Sequence, residues 1–228
     1  PMTETTIFDI ASLTKVVATA PAIMQLVEQG KIRLQDPVSK YWPEFKSRGK
    51  DAITVGQLLT HYSGLRPDLD LKPVWNGYDT AMKMILAEKP VAEPGTRFIY
   101  SDVNFEILGE LVRRVSGKNL DEYCASNIFE PLGMGDTRFR PQEAFRERIA
   151  PTEYSSGGRK GLLWGDVHDP TARFMGGVAG HAGVFSTADD LAVFVQMLLN
   201  GGSTNGVRIL GPLTVEKMTT PQNPAGKQ

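Results

Sequence analysis

The stretch that decides the fold is Phe8-Asp9-Ile10-Ala11-Ser12-Leu13-Thr14-Lys15, from which an apolar run continues to Val27. This run predicts a helix over residues 13–29, ended by Gly30. Because the helix is apolar nearly all the way round, we expect it to be buried in a core and covered by a sheet.

Two reactive side chains stand at the start of this helix. Ser12 and Lys15 are three residues apart, so a helix brings them to the same face. Burial and the positive end of the helix dipole both disfavour an ammonium and therefore favour Lys15 as a neutral base. A neutral amine can take the proton of the Ser12 hydroxyl and make it a nucleophile, while the first backbone amides of the helix can bind an oxyanion.

The Ser-x-x-Lys spacing is a weak signal when it stands alone. Ser47 and Lys50 show it too, but their segment is polar and lacks a helical pattern, which predicts a solvated loop. His61 and Ser63 are separated by one residue and point apart in regular structure, without a Gly-x-Ser-x-Gly elbow. We therefore interpret residues 61–65 as a tight turn.

The composition narrows the functions that are worth considering. A net charge of −1 gives no indication of a nucleic-acid partner or of a membrane surface. Cys124 is the single cysteine, and the three histidines show no metal-ligand spacing, so we predict no metal and no cofactor. No apolar run is long enough to predict a transmembrane segment.

The remaining pattern predicts many helices and few strands. We expect helices at 55–60, 79–88, 102–116, 119–128, 188–199 and 212–219, and strands at 3–10, 96–100, 183–186 and 206–210. Residues 138–175 are polar and rich in glycine and arginine, and they predict little regular structure.

Four segments in a fixed order together resemble the serine β-lactamase-like hydrolases of the class C, penicillin-binding and family VIII esterase type. They are Phe8 to Lys15, Leu58 to Leu65, Pro94 to Asp102, and Val184 to Leu191. The resemblance covers residues 3 to 220 and implies an α/β (α+β) fold of the β-lactamase/transpeptidase type. We expect one domain over residues 1–228, mostly the helical portion with an incomplete antiparallel sheet that lacks N- and C-terminal strands.

The resemblance also assigns roles to residues. It implies that Ser12 is the nucleophile, with Lys15 beside it, and that Tyr100 relays protons between them. Asp102 stands where an amide is usual, so it cannot donate a hydrogen bond to a substrate carbonyl. His181-Ala182-Gly183 is the only triplet similar to the third motif of the family. We favour a structural turn there, and keep Asp102, His181 and Gly183 as substrate-binding candidates.

Two functions from different classes follow. The first is an acyl-serine hydrolase (esterase, D-alanyl-peptide carboxypeptidase or β-lactamase) whose partner is a small-molecule ester, amide or peptide. The second is a non-catalytic binding protein or an inactive fragment of such a hydrolase. We expect Ser12, Lys15 and Tyr100 to meet, His181 to lie out of hydrogen-bonding reach of Ser12, and an exposed core face to favour association. The resemblance alone suggests a periplasmic or extracellular bacterial location.

Overall fold

The computed structural model describes residues 2–155 and 161–222. The helices are α1 (Ala20–Glu28), α2 (Val55–Leu59), α3 (Tyr78–Ala87), α4 (Asp102–Ser116), α5 (Leu120–Cys124), α6 (Glu130–Leu132), α7 (Pro170–Phe174), α8 (Ala188–Leu199) and α9 (Pro212–Thr219). The strands are β1 (Phe8–Asp9), β2 (Arg138–Phe139), β3 (Tyr154–Ser155), β4 (Gly161–Leu162), β5 (Val184–Ser186), β6 (Ser203–Thr204) and β7 (Val207–Arg208). Many helices around a small antiparallel sheet confirm the predicted α/β fold class.

Helix α4 lies at the centre of the molecule, and α1, α2 and α5 pack against it. Its bounds agree with the prediction because both ends carry local signals. The Ser101 side chain accepts from the backbone amide of Asn104 at the N-terminus, and Gly117 adopts the left-handed conformation at the C-terminus. Every residue from Val103 to Val112 is buried, so α4 forms a wall of the core.

The segment that carries Ser12 is helical from residue 11 to residue 28, but in three different geometries. A 3-10 turn, Ala11–Leu13, is followed by a π-helical stretch, Lys15–Thr19, and then by α1. The predicted extent is therefore nearly right. Most of the segment is buried as expected, but Leu13 and Val16 near its start are 49% and 52% exposed, which agrees with the expectation of an exposed core face. The apolar pattern there continues onto a face that the described residues leave open.

The sheet places a glycine-rich loop beside this segment. Its strand order is β1-β5-β2, with antiparallel pairing of Phe8 with Ser186. The Ile10 amide donates to the Val184 carbonyl over 3.0 Å, and the Val184 amide donates to Thr14 Oγ1 over 3.1 Å. Because β5 begins at Val184, residues 176–183 must approach the Ser12 segment just before it.

The same loop also touches α4. A Cβ atom added to Gly180 would lie 1.8 Å from the carbonyl oxygen of Phe105, so only glycine fits this approach. The loop is thus held between the Ser12 segment and the central helix.

Several sequence expectations need correction. The predicted strand 96–100 is not a strand: in this segment Ile99 donates its amide to the His61 carbonyl. Of the predicted strand 3–10 only β1 forms, and of 206–210 only β7, whereas β5 confirms 183–186. Residues 138–175 contain β2, β3, β4, α7 and a 3-10 helix (Glu143–Arg148), although residues 156–160 lie outside the described part. Lys50 is buried rather than solvated, because its Nζ donates to the carbonyls of Leu86 and Glu88.

An apolar groove runs along the open face of the Ser12 segment. Its lining includes Leu13, Val16, Val195 and Leu198. Association through this face, and the assignment of residues 1–228 to one domain, remain predictions. No helix within the described ranges is long and apolar enough to cross a membrane.

Candidate active site

Ser12 is presented by a strained turn that a carboxylate holds in place. Ala11 adopts φ 45°, a conformation that costs a residue with a side chain about 1–2 kcal/mol. Asp9 Oδ1 accepts from the Ala11 amide over 2.8 Å, and Asp9 Oδ2 accepts from the His168 amide over 2.7 Å. These two bonds fix the turn, which leaves Ser12 exposed to solvent.

Lys15 is buried and contacts three groups. Its Nζ donates to Ser12 Oγ over 3.1 Å and to the His181 carbonyl over 3.2 Å, and it forms an ion pair with Asp102 Oδ1 at 2.6 Å. The structure thus brings together Ser12 and Lys15, as the spacing predicts. The structure also gives Lys15 two partners from distant parts of the chain, the His181 carbonyl and the Asp102 carboxylate.

The Asp102 carboxylate is an acidic neighbour that the sequence argument did not place beside Lys15. A carboxylate 2.6 Å from an amine stabilises the ammonium form, whereas the sequence argument favoured the neutral amine. Asp102 therefore acts first on Lys15. Its contact with a substrate stays a prediction.

The face of the Tyr100 ring lies against the amine of Lys15. The Lys15 Nζ is 4.8 Å from the ring centroid, a cation–π arrangement, and the Tyr100 side chain is 47% exposed. Tyr100 is thus close to the pair and open to solvent. Its role as a proton relay stays a prediction.

His61 is a site neighbour that the sequence argument missed. Its ring stacks on Tyr100, with centroids 4.6 Å apart, and its Nδ1 accepts from the Ser101 amide over 3.0 Å. Burial, reinforced by the charge of Lys15, lowers the pKa of His61 to about 4, so the imidazole is neutral at physiological pH. It supports Tyr100 and Ser101 rather than exchanging protons. The cluster of aromatic residues around it, Phe98, Tyr100 and Phe105, was the available signal.

His181 touches the site through its backbone. Its ring is buried, with Nε2 2.8 Å from Asp169 Oδ1 and Nδ1 3.6 Å from Glu106 Oε1. The ring therefore has a supporting position between Asp169 and Glu106, and substrate binding by His181 stays a prediction. The His181 backbone carbonyl accepts from Lys15 Nζ, which also contacts Ser12. His181 is therefore close to Ser12, with the Lys15 side chain between them.

Gly183 has a packing reason to be glycine. It adopts φ 120°, and a Cβ atom there would lie 2.6 Å from the carbonyl oxygen of Gly177. Residues 181–183 precede β5 and do not extend it. Substrate binding by Gly183 stays a prediction.

Two other serines in the predicted motifs are unsuited to nucleophilic attack. Ser63 and Ser101 are both buried. The Ser63 hydroxyl donates to Asn104 Oδ1 over 2.5 Å, and the Ser101 hydroxyl donates to the Arg66 carbonyl over 2.6 Å. Over residues 2–155 and 161–222, no group of three or more His, Cys, Asp or Glu side chains is arranged to hold a metal ion.

Comparison with known proteins gives a consistent assignment. The family described as Beta-lactamase matches residues 1–228. Relatives from Salmonella agona (strain SL483) and Salmonella typhi, provisionally named D-alanyl-D-alanine carboxypeptidase, are each 37% identical over 243 residues. The match covers 95% of this chain and 56% of each relative, so the chain spans about half the length of these curated relatives.

Solved structures show the same relationship. The octameric penicillin-binding protein homologue from Pyrococcus abyssi is 31% identical with a TM-score of 0.77, over 96% of this chain and 50% of that one. A penicillin-binding protein homologue from Caulobacter crescentus is 26% identical with a TM-score of 0.79, over 97% of this chain and 63% of that one.

Proposed function

The chain belongs to the beta-lactamase family, and on that premise we propose that it carries the nucleophile of a serine hydrolase that works through an acyl-enzyme. The observation that supports this most directly is the contact of Lys15 Nζ with the exposed Ser12 hydroxyl at 3.1 Å. A hydroxyl that is open to solvent and touches a buried amine has both the access and the proton acceptor that acyl transfer needs.

The proposed acylation forms a bond between Ser12 Oγ and the substrate carbonyl carbon and breaks the bond to the leaving alcohol or amine. The Ser12 proton passes to Lys15 and then to the leaving group. Because Asp102 stabilises the Lys15 ammonium, the amine must first give up a proton, and Asp102 Oδ1 at 2.6 Å is the nearest carboxylate oxygen that can take it. Water then hydrolyses the ester of Ser12 by the reverse sequence.

Tyr100 has a proposed part in the same transfer. Its ring lies against the Lys15 ammonium, and its exposed position lets the phenol face a bound substrate. A phenol there can pass the proton between Lys15 and the leaving group. The Ser12 amide lies in the first turn of the helical segment, Ala11–Leu13, and can supply one oxyanion donor.

The substrate class follows from chemistry and relatives together. Exposed Ser12 and buried Lys15 suit any activated ester or amide, and the provisional name of the Salmonella relatives points to a D-alanyl peptide. We infer a small-molecule or peptide acyl donor.

Covalent labelling of the protein tests the proposal. A fluorophosphonate and a labelled penicillin are each applied, and the adduct is located by mass spectrometry. We expect the adduct on Ser12, its loss in Ser12→Ala, and its retention in Ser47→Ala, the matched control from the second Ser-x-x-Lys sequence. Labelling on Ser63 or Ser101, or undiminished labelling of Ser12→Ala, would contradict the proposal.

A further inference from the structure

Glu106 is a buried carboxyl group that neither the proposed chemistry nor the packing explains. Its side chain is 1% exposed, and neither carboxyl oxygen has a hydrogen-bond partner among the described residues. Leaving such a group without a partner is costly, and a structure that retains one needs a reason for it.

The position of Glu106 connects it to Lys15 by two routes. Asp102, the ion-pair partner of Lys15, lies one turn earlier on α4. His181, whose carbonyl accepts from Lys15 Nζ, has its ring Nδ1 3.6 Å from Glu106 Oε1. Two of the three groups that hold Lys15 are therefore next to Glu106.

We propose that Glu106 and His181 are positioning residues that hold Lys15 in place for Ser12, and that they do so only while Glu106 carries its proton. The inference rests on the proposed acyl-transfer function of Ser12. The geometry behind it is a chain of contacts from Glu106 through the His181 ring and backbone to Lys15 Nζ.

The charges around Glu106 come from four segments. Asp102 belongs to its own helix, Asp68 to the loop after α2, Asp169 to the N-terminus of α7, and His181 to the glycine-rich loop; Lys15 adds a positive charge beyond Asp102. Burial, with added repulsion from Asp68, Asp102 and Asp169, raises the pKa of Glu106 to about 8, although His181 opposes the rise. Glu106 is therefore a neutral acid at pH 7.

The surroundings of His181 in the same cluster raise the pKa of its imidazole and so favour the cation. Burial alone would lower its pKa, but the hydrogen bond to Asp169 and the charges of Asp169 and Asp102 raise it. While Glu106 is neutral, the ring stays on Asp169 at 2.8 Å, and this contact fixes the carbonyl that receives Lys15.

Ionisation of Glu106 disturbs this arrangement in two ways. A carboxylate at 3.6 Å competes with Asp169 for the His181 ring and pulls on the carbonyl that orients Lys15. It also adds a negative charge near Lys15, which strengthens the ammonium form and weakens the amine as a base. Activity should therefore fall as Glu106 loses its proton.

The test is the pH profile of aryl-ester hydrolysis by the full-length protein. For the wild type, kcat at pH 9 should be about tenfold below its value at pH 7, as one ionisation near pH 8 requires. Glu106→Gln has no proton to lose, so its kcat at pH 9 should stay within twofold of its own value at pH 7. Glu110→Gln, one turn further along α4 and paired with Arg113 and Arg114, is the control and should keep the wild-type profile.

A second variant covers the case in which Glu106→Gln does not fold. His181→Gln keeps an amide donor toward Asp169 but removes the positive charge beside Glu106, so the alkaline fall in kcat should move to higher pH. An unchanged alkaline fall in Glu106→Gln or in His181→Gln overturns the inference.

Failure of the proposed function would show separately. If wild type and Ser12→Ala hydrolyse the ester equally at every pH, the acyl-enzyme proposal has failed. Urea unfolding then still decides whether Glu106 holds a proton: a midpoint difference between Glu106→Gln and wild type that grows from pH 5 to pH 8 supports it, and a constant difference overturns it.

Discussion

Replacing Glu106 by Gln should raise the free energy of unfolding relative to the wild type by an amount that grows with pH. The pKa of Glu106 is about 8 in the folded protein, whereas an ordinary glutamate has a pKa of 4.5. Between these two pH values the folded state binds the proton and the unfolded state does not, so each pH unit lowers the wild-type free energy of unfolding by about 1.4 kcal/mol. The contribution of Glu106 is fully present below pH 4.5 and is lost as the pH rises through 8.

The magnitude follows from that interval. At pH 7 the wild type has lost about 3 kcal/mol relative to pH 4.5, and at pH 8 about 4 kcal/mol. Gln is neutral at every pH and nearly the same size, so Glu106→Gln escapes this loss. The difference in free energy of unfolding between the variant and the wild type should therefore grow by these amounts. A pH-independent offset from the changed side chain is added to it.

Urea unfolding at pH 5, 6, 7 and 8 measures the gain directly. The wild type and Glu106→Gln are compared at each pH, so that titration of His181 and of the surface groups largely cancels in the difference. Glu110→Gln serves as the control. Glu110 is ionised and paired with Arg113 and Arg114, so its replacement by Gln should lower the free energy of unfolding. A difference between Glu106→Gln and wild type that stays constant over this range would refute the assignment of a neutral buried acid.

Three further outcomes are expected. Asp9→Ala should lower the free energy of unfolding by about 2–4 kcal/mol and reduce kcat at least tenfold, because the Ala11 turn loses both of its carboxylate bonds; thermal melts and ester kinetics check this, and an unchanged kcat would show that the turn does not position Ser12. Lys15→Ala and Tyr100→Phe should each remove most of kcat, and the double variant should be little worse than either, since groups that act as a unit lose activity non-additively; multiplicative losses would separate their roles. The protein should hydrolyse p-nitrophenyl acetate with a higher kcat/KM than nitrocefin, because Asp102 adds a negative charge beside Lys15 and we expect this charge to disfavour an anionic β-lactam; a clear preference for nitrocefin would reject this.

The sequence predicted what depends on local pattern. The bounds of α4 follow from a serine that caps its start and from Gly117 at its end, and the periodicity of apolar residues between them fixes the buried face. The contact of Ser12 with Lys15 is equally local, since one helical turn is enough to bring them together. Such features need no knowledge of the rest of the chain.

The features that sequence reasoning missed all depend on distant contacts. Asp102 reaches Lys15 from a helix that begins 87 positions later in the chain, and Lys50 is buried because two carbonyls beyond residue 85 receive its ammonium. Strands of two residues, such as β2 and β3, carry too little alternation to be recognised from the sequence, and their pairing is fixed by the surrounding core. Local pattern cannot contain that information.

The surroundings of Lys15 show how these distant contacts shape the chemistry. Taken from sequence, Lys15 is a buried amine at a helix start, where desolvation and the helix dipole favour a neutral base. In the fold, Asp102 at 2.6 Å and the His181 carbonyl at 3.2 Å favour the ammonium. The two tendencies oppose each other, so the base strength of Lys15 depends on how much negative charge lies behind it. A neutral Glu106 adds none, whereas an ionised Glu106 would shift the balance toward the ammonium. The burial of Glu106 without a partner therefore has a function, because it keeps the carboxyl group neutral at physiological pH. An ionised Glu106 would add a negative charge near Lys15 and weaken the amine as a base.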